Sequence, residues 1–366
     1  MKRDRVDALH AAAFRVPTSA AEGDGTLTWD ATTIVVVRAR CGDTTGLGWT
    51  YCDSACVDVV EGVLGSAVTG ADPLAVPAAW HAMQRRIRNL GRSGVVACAM
   101  SAVDIALWDL SARLCGAPVT RLLGRVRDAV DVYGSGGFTT FDDGQLRDQL
   151  AGWMRDGLPR VKIKIGESWG TAVDRDLDRV RRTRTLVGPD VEVYVDANGG
   201  YQAGQAIRVG KRLAELGVTW FEEPVSSDDL HGLREVRQAV DMDVAAGEYG
   251  YDLPYFARMV LAGAVDCLQV DLTRCGGFTE WARVAAVAAA RNLQVSAHCA
   301  PNLAVHAGAV TPNFRHVEWF SDHDRIERTF FDGAVTPRGG VARPDLAEPG
   351  HGLTFRPERA EPFRVR

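Results

Sequence analysis

Hydrophobic and polar positions follow one pattern in the first third of the chain and another in the remainder. Residues 32–41, TTIVVVRARC, are rich in β-branched side chains, and Gly42 opens a turn before GLGWTY. This pattern predicts a β-hairpin. Residues 94–114 carry apolar side chains at helical spacing and end before Gly116. Because the strands and the helix do not alternate, we expect a small α+β domain over residues 1–125.

The rhythm changes after Arg125, where short apolar runs recur with helical segments between them. Eight runs occur, as a closed parallel barrel requires. They are VDVYGSG, RVKIKIG, VEVYVDAN, VTWFEEP, MDVAAGE, VDCLQVD, LQVSAHC and RHVEWF. The pattern predicts an α/β fold with a (β/α)8 barrel of TIM type over residues 126–338, with helices near 175–187 and 204–216. The tail, residues 339–366, is rich in Pro, Gly and charge, and we expect it to pack on the first domain.

Composition narrows the classes of partner. The 366 residues carry a net charge of −5 and no long Lys or Arg run, which argues against nucleic acid and against a membrane surface. The apolar runs fall short of the roughly 18 residues that span a bilayer, so we predict a cytoplasmic protein with a small-molecule partner. The eight cysteines lack CxxC spacing and are expected to be reduced thiols.

Nearly every barrel run ends in an ionisable residue, although a purely structural strand would stay apolar. Active sites of such barrels lie at the carboxyl ends of the strands. The two-residue strand period puts Lys162 and Lys164 on one side, facing the barrel mouth. The same argument brings six further side chains to the mouth on six successive strands: Asp196, Glu222, Glu248, Asp271, His298 and Glu318.

Three of these side chains are carboxylates from consecutive strands. Asp196, Glu222 and Glu248 offer hard oxygen ligands that suit Mg²⁺. Each alone is equally well explained as a salt-bridged loop residue, but three unpaired carboxylates in one place would repel each other without a cation. We therefore predict a Mg²⁺ site.

The remaining mouth residues suggest proton transfer. Lys164 is the candidate general base, because Lys162 and a nearby metal would disfavour its protonated form. The alternative for VKIKIG is an edge strand with two solvated lysines. Asp271 is placed to hold His298 by a hydrogen bond, although a lone His in an apolar run is often a core residue. Glu318 would lie beside a developing enolate oxygen.

These residues occur in motifs that resemble the mandelate racemase subgroup of the enolase superfamily. The matching segments cover most of the chain, and they are AVDIALWDLSARLCGAP, VKIKIG, VDANGGY, WFEEP, AGE, LQVDLTRCGG, SAHCAP and HVEWF. The resemblance implies a modified (β/α)7β barrel with an N-terminal α+β capping domain. It also implies proton abstraction next to a carboxylate, with a Lys or His base and Mg²⁺. A departure is LLGR at residues 122–125, where a double glycine is more usual.

Position by position, the resemblance implies roles for the mouth residues. Asp196, Glu222 and Glu248 would bind the metal, Lys164 would be one base, and His298 with Asp271 the other acid or base. Lys162 would contact the substrate carboxylate and Glu318 would donate a hydrogen bond to the intermediate. Capping loops at residues 14–26 and 46–52 would select the substrate. The residues expected to bind substrate are Lys162, Asn198, Arg15, Trp49 and Tyr51.

Residue inventory leaves the net reaction open. After proton abstraction, His298 either returns a proton to the opposite face, giving racemisation or epimerisation, or protonates a departing β-hydroxyl, giving dehydration. By analogy with the family we expect dehydration of a sugar acid. A non-catalytic metal-binding barrel is the third hypothesis, and the full set of acid and base residues argues against it. We expect a homo-oligomer that binds a small carboxylate. Cys299, directly after His298, has no assigned role.

Overall fold

The computed structural model describes residues 5–366 and begins with a three-stranded antiparallel sheet in the order β1-β2-β3. The strands are Ala8–Gly23 (β1), Thr28–Cys41 (β2) and Thr44–Tyr51 (β3). The predicted hairpin is confirmed, since β2 pairs with β3 around the Gly42 turn. The helices that follow are Cys56–Asp58 (α1), a π-helix at Val59–Leu64, Gly65–Val68 (α2), Val76–Arg86 (α3), Val95–Leu114 (α4) and Val119–Leu123 (α5).

Helix α4 packs across β3 at unusually short range. A Cβ atom on Gly46 would lie 2.2 Å from the Ala106 carbonyl oxygen, and one on Gly48 would lie 2.2 Å from that of Ala102. Glycine is therefore required at both positions for the strand to approach the helix. Helix α4 has 20 residues and a mean hydropathy of 1.6, so its length and composition would let it cross a membrane, contrary to our expectation of shorter runs. Because 83% of that window is buried inside the protein, α4 is accounted for as a core helix.

All eight predicted barrel strands are present and form one closed parallel sheet, in which the last strand pairs with the first. The strands are Val130–Gly136 (β4), Arg160–Lys164 (β5), Glu192–Asp196 (β6), Val218–Glu222 (β7), Asp243–Ala246 (β8), Cys267–Val270 (β9), Gln294–Ala297 (β10) and Phe314–Phe320 (β11). The helices are Asp143–Arg155 (α6), Glu167–Gly170 (α7), Val173–Val187 (α8), Ala203–Glu215 (α9), Leu230–Ala239 (α10), Leu253–Ala262 (α11), Gly277–Ala289 (α12), Pro301–Val310 (α13) and Ser321–Phe330 (α14). The barrel prediction is confirmed.

Side chains of the barrel strands alternate between the helices and the interior. Ile163 and Ile165 belong to the main apolar core, whereas Lys162 and Lys164 are buried polar residues. The interior away from the mouth is filled by an aromatic floor, which we define as Tyr133, Tyr194, Trp220 and His316. Within the aromatic floor, ring centroids of neighbouring members lie 4.7 to 5.6 Å apart.

The tail contacts both parts of the molecule. Residues Val341–Ala342 (β13) pair antiparallel with β4 of the barrel. Near the end of the chain, Arg364 forms an isolated bridge with Phe14, and the Val365 amide donates to the Ala13 carbonyl (2.9 Å), so the outer edge of β1 is covered. The remaining elements are Phe331–Asp332 (β12), which pairs with Thr354–Phe355 (β14), Pro357–Ala360 (α15) and a 3₁₀ turn at Glu361–Phe363. The division at residues 125 and 338 stays a prediction.

The first domain is joined to the barrel by buried side-chain hydrogen bonds. The Trp80 indole donates to the Gly276 carbonyl (2.9 Å), and the Thr279 hydroxyl donates to Asp104 (2.6 Å). The Trp108 indole in turn donates to the Thr279 hydroxyl (2.9 Å). Helix α4 is thereby fixed against the start of α12, and the antiparallel sheet is held over the barrel.

The two segments expected to be capping loops are mostly strand. Residues 14–26 continue β1 as far as Gly23, and residues 46–52 coincide with β3. Only the turn between β1 and β2 is a loop. There the Asp24 carboxylate accepts hydrogen bonds from the backbone amides of Thr26 (2.6 Å) and Leu27 (2.8 Å), which fixes the turn.

Candidate active site at the barrel mouth

Several residues directly after the barrel strands have left-handed backbone conformations. Asn198, Glu223, Cys299 and Ala300 have positive φ angles between 38° and 50°. Such angles are uncommon for residues other than glycine and cluster at functional sites. The backbone after β6, β7 and β10 therefore adopts unfavourable conformations at the mouth, which is typical of a functional site.

Two lysines lie among the carboxylates at the mouth, as the strand period predicts. Lys164 Nζ contacts the Asp196 carboxylate, and Lys162 Nζ contacts Glu222. Lys162 Nζ also lies 2.8 Å from Glu318 Oε1 and 4.0 Å from Asp196 Oδ2. All of these side chains are buried. The ammonium groups supply the positive charge that clustered carboxylates need.

The Asp196, Glu222 and Glu248 side chains meet at one point. Each offers a carboxylate oxygen, and these oxygens lie within 4.8 Å of one another. Among residues 5–366, Glu248 Oε2 has no hydrogen-bond partner although it is buried. The donor set is all oxygen and fits a hard divalent cation. Further hydrogen bonds orient these carboxylates. The Trp220 indole donates to Glu222 (2.9 Å), and the backbone amide of Asn198 donates to Asp196 (2.9 Å).

The near-neutral amine expected for Lys164 depends on a nearby metal as well as on Lys162, whereas the protein's own carboxylates act in the opposite direction. Burial lowers the pKa of Lys164, but the carboxylates of Asp196, Glu248 and Glu318 together outweigh that effect, and the pKa lies above its usual value. Lys162 lowers it as expected, but by less than Asp196 raises it. For Lys162 itself, Glu222 and Glu318 outweigh burial and raise the pKa well above its usual value. The protein's own charged groups therefore favour the ammonium form of both lysines.

His298 forms the predicted contact with Asp271. His298 Nδ1 lies 2.8 Å from Asp271 Oδ2, and both side chains are buried. Asp271 is held in turn by the amide and hydroxyl of Thr273, each at 2.7 Å. Burial raises the pKa of Asp271, but the hydrogen bond from His298 and the charge of Arg274 bring it below its usual value. The ionised Asp271 fixes the imidazole so that Nε2 faces the mouth.

Glu318 accepts hydrogen bonds instead of donating them. The Ser135 hydroxyl donates to its Oε1 (2.6 Å), and the Cys299 amide donates to its Oε2 (3.0 Å). Burial opposes ionisation, yet the charges of Lys162, His298 and Lys164 together outweigh it, and the pKa of Glu318 is lowered. The predicted role as a hydrogen-bond donor thus requires the carboxyl group to gain a proton.

A cavity of about 490 Å³ opens above these groups, between the barrel mouth and the first domain. Tyr51 and Asn198, both expected to bind substrate, line it. The barrel contributes further lining residues with ionisable side chains, namely Lys164, Glu248, Arg274, His298 and Glu318. The first domain contributes Asp24, Leu27, Trp29, Thr32, Thr33 and Asp53.

Two of the residues expected to bind substrate lie elsewhere. Trp49 is completely buried, and its indole donates to Glu327 (3.1 Å) while its ring stacks on Phe331. It packs the first domain onto α14. Arg15 is exposed on β1 and pairs with Asp30 at 2.8 Å. Neither lines the cavity. Trp49 shares its face of β3 with Tyr51, but its indole is turned to Glu327, and Arg15 lies on the exposed surface.

The sequence analysis did not identify three residues of the cavity or mouth, namely His323, Arg274 and Ser135. The His323 ring stacks on Tyr51 with centroids 3.3 Å apart and an interplanar angle of 9°. Arg274 lies 3.4 Å from Asp271 and 3.8 Å from Glu248, and Ser135 donates to Glu318. Arg274 was detectable because it lies three residues after Asp271, within LQVDLTRCGG. Ser135 and His323 lie in runs that look structural.

Family models match most of the chain. Residues 15–124 match the N-terminal domain of mandelate racemase / muconate lactonizing enzyme, and residues 145–360 match the enolase C-terminal domain-like family. Among curated relatives, D-galactarolactone cycloisomerase of Agrobacterium fabrum is 31% identical, covering 90% of this chain and 91% of its own. Arabinonate dehydratase of Saccharolobus solfataricus is 28% identical, covering 86% and 85%.

Solved structures agree with this assignment. A mandelate racemase/muconate lactonizing enzyme-like protein from Rubrobacter xylanophilus superposes with a TM-score of 0.95 at 45% identity, covering 99% of this chain and all of its own. A racemase from Streptomyces coelicolor, solved with bound magnesium, superposes with a TM-score of 0.92 at 29% identity, covering 98% of this chain and all of its own.

Proposed function

Because the chain belongs to the mandelate racemase/muconate lactonizing enzyme family of the enolase superfamily, we propose that it is a Mg²⁺-dependent sugar-acid dehydratase. Its substrate is a small carboxylate with hydroxyl groups, and its product is a 2-keto-3-deoxy acid. The names of two relatives, an arabinonate dehydratase and a galactarolactone cycloisomerase, support this class of substrate.

One observation carries the proposal: Lys164 and His298 face the same cavity from opposite walls of the barrel. Lys164 ends β5 and His298 follows β10, which are three strands apart in one direction around the closed sheet and five in the other. Both residues line the cavity together with Glu248. A substrate bound there has an acid or base on either side.

The proposed metal site is formed by the three carboxylates at the barrel mouth. Asp196, Glu222 and Glu248 would hold Mg²⁺, and their all-oxygen donor set, together with the buried Glu248 Oε2 atom that accepts no hydrogen bond, supports this assignment. When bound, Mg²⁺ supplies positive charge that offsets the three carboxylates and stabilises negative charge developing on the substrate carboxylate. A magnesium-bound structural relative is consistent with this cofactor.

The protein's own residues then carry out the elimination. Lys162 binds the substrate carboxylate. A cation at Asp196 would offset the carboxylate charge that keeps Lys164 protonated, and Lys164 in its neutral form then removes the proton from the carbon next to the substrate carboxylate. His298 Nε2 gives a proton to the departing β-hydroxyl, so the C–O bond breaks, water leaves and an enol remains that becomes the ketone. As the substrate carboxylate competes with Glu318 for Lys162, the protonated form of Glu318 becomes favoured, and it donates to the developing enolate oxygen.

The polarity of the cavity favours a hydroxyl-rich acid. Asp24, Thr32, Thr33 and Asn198 bring hydroxyl, carboxylate and amide groups to its wall. In a closed site, a polar group without a partner is costly, so such a wall selects substrates with matching hydroxyls. We propose that Tyr51 and Asn198 contact the substrate.

Racemisation or epimerisation is the second candidate. Trp29, Leu27 and Phe320 give part of the cavity an apolar wall that suits a simpler 2-hydroxy acid, and a structural relative is called a racemase. In that reaction His298 returns its proton to the opposite face of the same carbon.

A sugar-acid panel separates these reactions. The Mg²⁺-loaded protein is incubated with individual five- and six-carbon aldonic and aldaric acids, and ketone is captured with semicarbazide, with Lys164→Ala protein as the matched blank. Ketone formed from one or a few acids by the parent alone supports dehydration. Deuterium entering the α-position from heavy water with inversion, and without ketone, establishes the racemase or epimerase. Neither signal in protein shown to bind Mg²⁺ identifies a non-catalytic binding protein.

The remaining expectations are part of this proposal. The enzyme acts in the cytoplasm as a homo-oligomer and has no nucleic-acid or membrane partner. Residues 1–125 with residues 339–366 form the capping unit, and residues 126–338 form the catalytic barrel.

A further inference from the structure

A second set of metal-ligating side chains lies beside the three carboxylates. His298, Cys299 and Glu318 are all buried, and one ligand atom from each lies within 4.8 Å of the others. His298 Nε2 is 3.3 Å from Cys299 Sγ and 3.8 Å from Glu318 Oε2, and Cys299 Sγ is 3.6 Å from Glu318 Oε2. Nitrogen, sulfur and oxygen ligands bound tetrahedrally to one Zn²⁺ at about 2.0–2.3 Å are separated by roughly 3.3–3.6 Å. The set has nearly this spacing.

Two of the three ligand residues, His298 and Glu318, are oriented by further contacts. Asp271 holds His298 Nδ1 at 2.8 Å, as carboxylates do for metal-binding histidines, so Nε2 is the nitrogen turned toward the metal site, where it also lies 3.4 Å from Glu248 Oε2. Ser135 and Lys162 hold Oε1 of Glu318, which leaves Oε2 facing the thiol. Cys299 has a left-handed backbone with φ of 50°, an unusual conformation for this residue type.

We propose that His298, Cys299 and Glu318 bind a thiophilic divalent cation, with Zn²⁺ as the best match. Mg²⁺ takes oxygen ligands in an octahedral shell and does not suit this set, whereas Zn²⁺ accepts nitrogen, sulfur and oxygen together. On binding, the Cys299 thiol loses its proton to solvent, and the thiolate and the Glu318 carboxylate balance the two positive charges. Three protein ligands leave the fourth position open to the cavity.

The site has a consequence for catalysis that rests on the proposed function. Zn²⁺ on His298 Nε2 occupies the atom that gives the proton to the leaving hydroxyl. The enzyme is thus activated by a cation at the carboxylates and inhibited by a second cation at the thiol.

Cobalt absorption tests the site without relying on activity. Co²⁺ is titrated into the full-length protein in a large excess of Mg²⁺, and thiolate-to-cobalt charge transfer is followed in the near ultraviolet. We expect a signal that saturates at one equivalent, disappears when Zn²⁺ is added, and is absent in Cys299→Ser protein. Cys52→Ser is the matched control, because Cys52 lines the same cavity but lies outside the set, and it keeps the signal. Circular dichroism verifies that each variant is folded.

Three results would overturn the site. They are the lack of a charge-transfer signal in the parent protein, a signal that survives Cys299→Ser, and a signal lost from folded Asp196→Asn protein, which would place the cation at the carboxylates. Inhibition by Zn²⁺, expressed relative to each variant's own zinc-free rate, is expected to need about tenfold more Zn²⁺ or greater in Cys299→Ser. If no acid is turned over, the proposed function fails while the cobalt signal still reports the site.

Discussion

The mouth and the aromatic floor of the barrel contain the same residue type in opposite chemical settings. His298 at the mouth contacts Asp271 at 2.8 Å and Glu248 at 3.4 Å. His316, on the next strand, lies in the floor among Tyr133 and Trp220, and its Nδ1 is 2.8 Å from the Ser296 hydroxyl. Burial and the charges of Arg315 and Arg160 lower the pKa of His316 well below its usual value.

The difference shows that burial alone does not fit a histidine for proton transfer. Both histidines are almost fully buried, but of the two only His298 contacts carboxylates and lines the cavity. The floor excludes water beneath the mouth, so charges at the mouth interact strongly. Most of the following variants change either the mouth or the aromatic floor and leave the other region intact.

The largest effect is expected from Glu222→Gln at the mouth. Loss of one oxygen ligand's charge weakens Mg²⁺ binding and should abolish turnover. In the parent, Mg²⁺ at a hundred times its dissociation constant should raise the free energy of unfolding by about 2.7 kcal/mol, and the variant should lose this gain. Calorimetric titration with Mg²⁺ and thermal unfolding measure both. Glu235→Gln on the exposed surface of α10 is the control, and full parent activity after exhaustive chelation would contradict the metal requirement.

Lys164→Ala removes the proposed base. A positioned base contributes roughly 10²–10⁴-fold to the rate, so kcat should fall by that factor while Mg²⁺ binding persists. Lys211→Ala, on α9, is the matched lysine control and should keep the parent rate. A Lys164 variant with unchanged kcat on the substrate identified by the panel would remove this residue from the mechanism.

His298→Ala tests the other wall of the mouth. We expect a loss of about 10²–10⁴-fold in kcat, because the leaving hydroxyl no longer receives a proton. His316→Phe is the control from the floor, since an aromatic ring is retained and Ser296 can still donate to the His316 backbone carbonyl (3.1 Å). Normal turnover by His298→Ala would make the contact with Asp271 structural and leave a one-base mechanism using Lys164.

In the aromatic floor, the expected effect of His316 is on the pH dependence of the free energy of unfolding. His316 stays neutral in the folded protein, whereas in the unfolded chain it gains a proton below about pH 6.5. Its contribution to stability is therefore complete above that pH and is lost as the pH falls toward the lowered folded pKa, by up to about 1.4 kcal/mol per pH unit. Urea unfolding between about pH 7.5 and 5 should show a shallower pH slope for His316→Phe than for the parent. Equal slopes would contradict the neutral state, and His231→Gln, at an exposed site, controls for surface histidines.

The smallest effect is expected for Arg15→Ala. Its ion pair with Asp30 is exposed, and such pairs contribute at most about 1 kcal/mol. Unfolding free energy should change by less than that, and KM should stay at the parent value because Arg15 does not line the cavity. A several-fold rise in KM would return Arg15 to the substrate site.

The barrel and the residues of its mouth were predictable because an ionisable residue at the end of an apolar run is costly without a partner. Asp196, Glu222 and His298 carry that signal individually. The course of β1 was not predictable, since Pro17 and the polar residues after it read as a loop. In the structure, regular pairing with β2 breaks after Pro17 and resumes at Glu22.

The site could not be completed from sequence for a related reason. The direction of Trp49 depends on its partner Glu327, which lies 278 positions away in the chain. The contact of Tyr51 with His323 is equally remote. Local patterns carry no record of such pairings, so the lining of the cavity depends on tertiary packing.

The bridge between Phe14 and Arg364 has a consequence for how the protein is made. The outer edge of β1 is covered by a segment about 350 residues further along the chain. At a translation rate of about 5–20 residues per second, the ribosome adds that segment roughly 20–70 seconds after the strand. During this interval the strand edge is open and able to pair with other nascent chains.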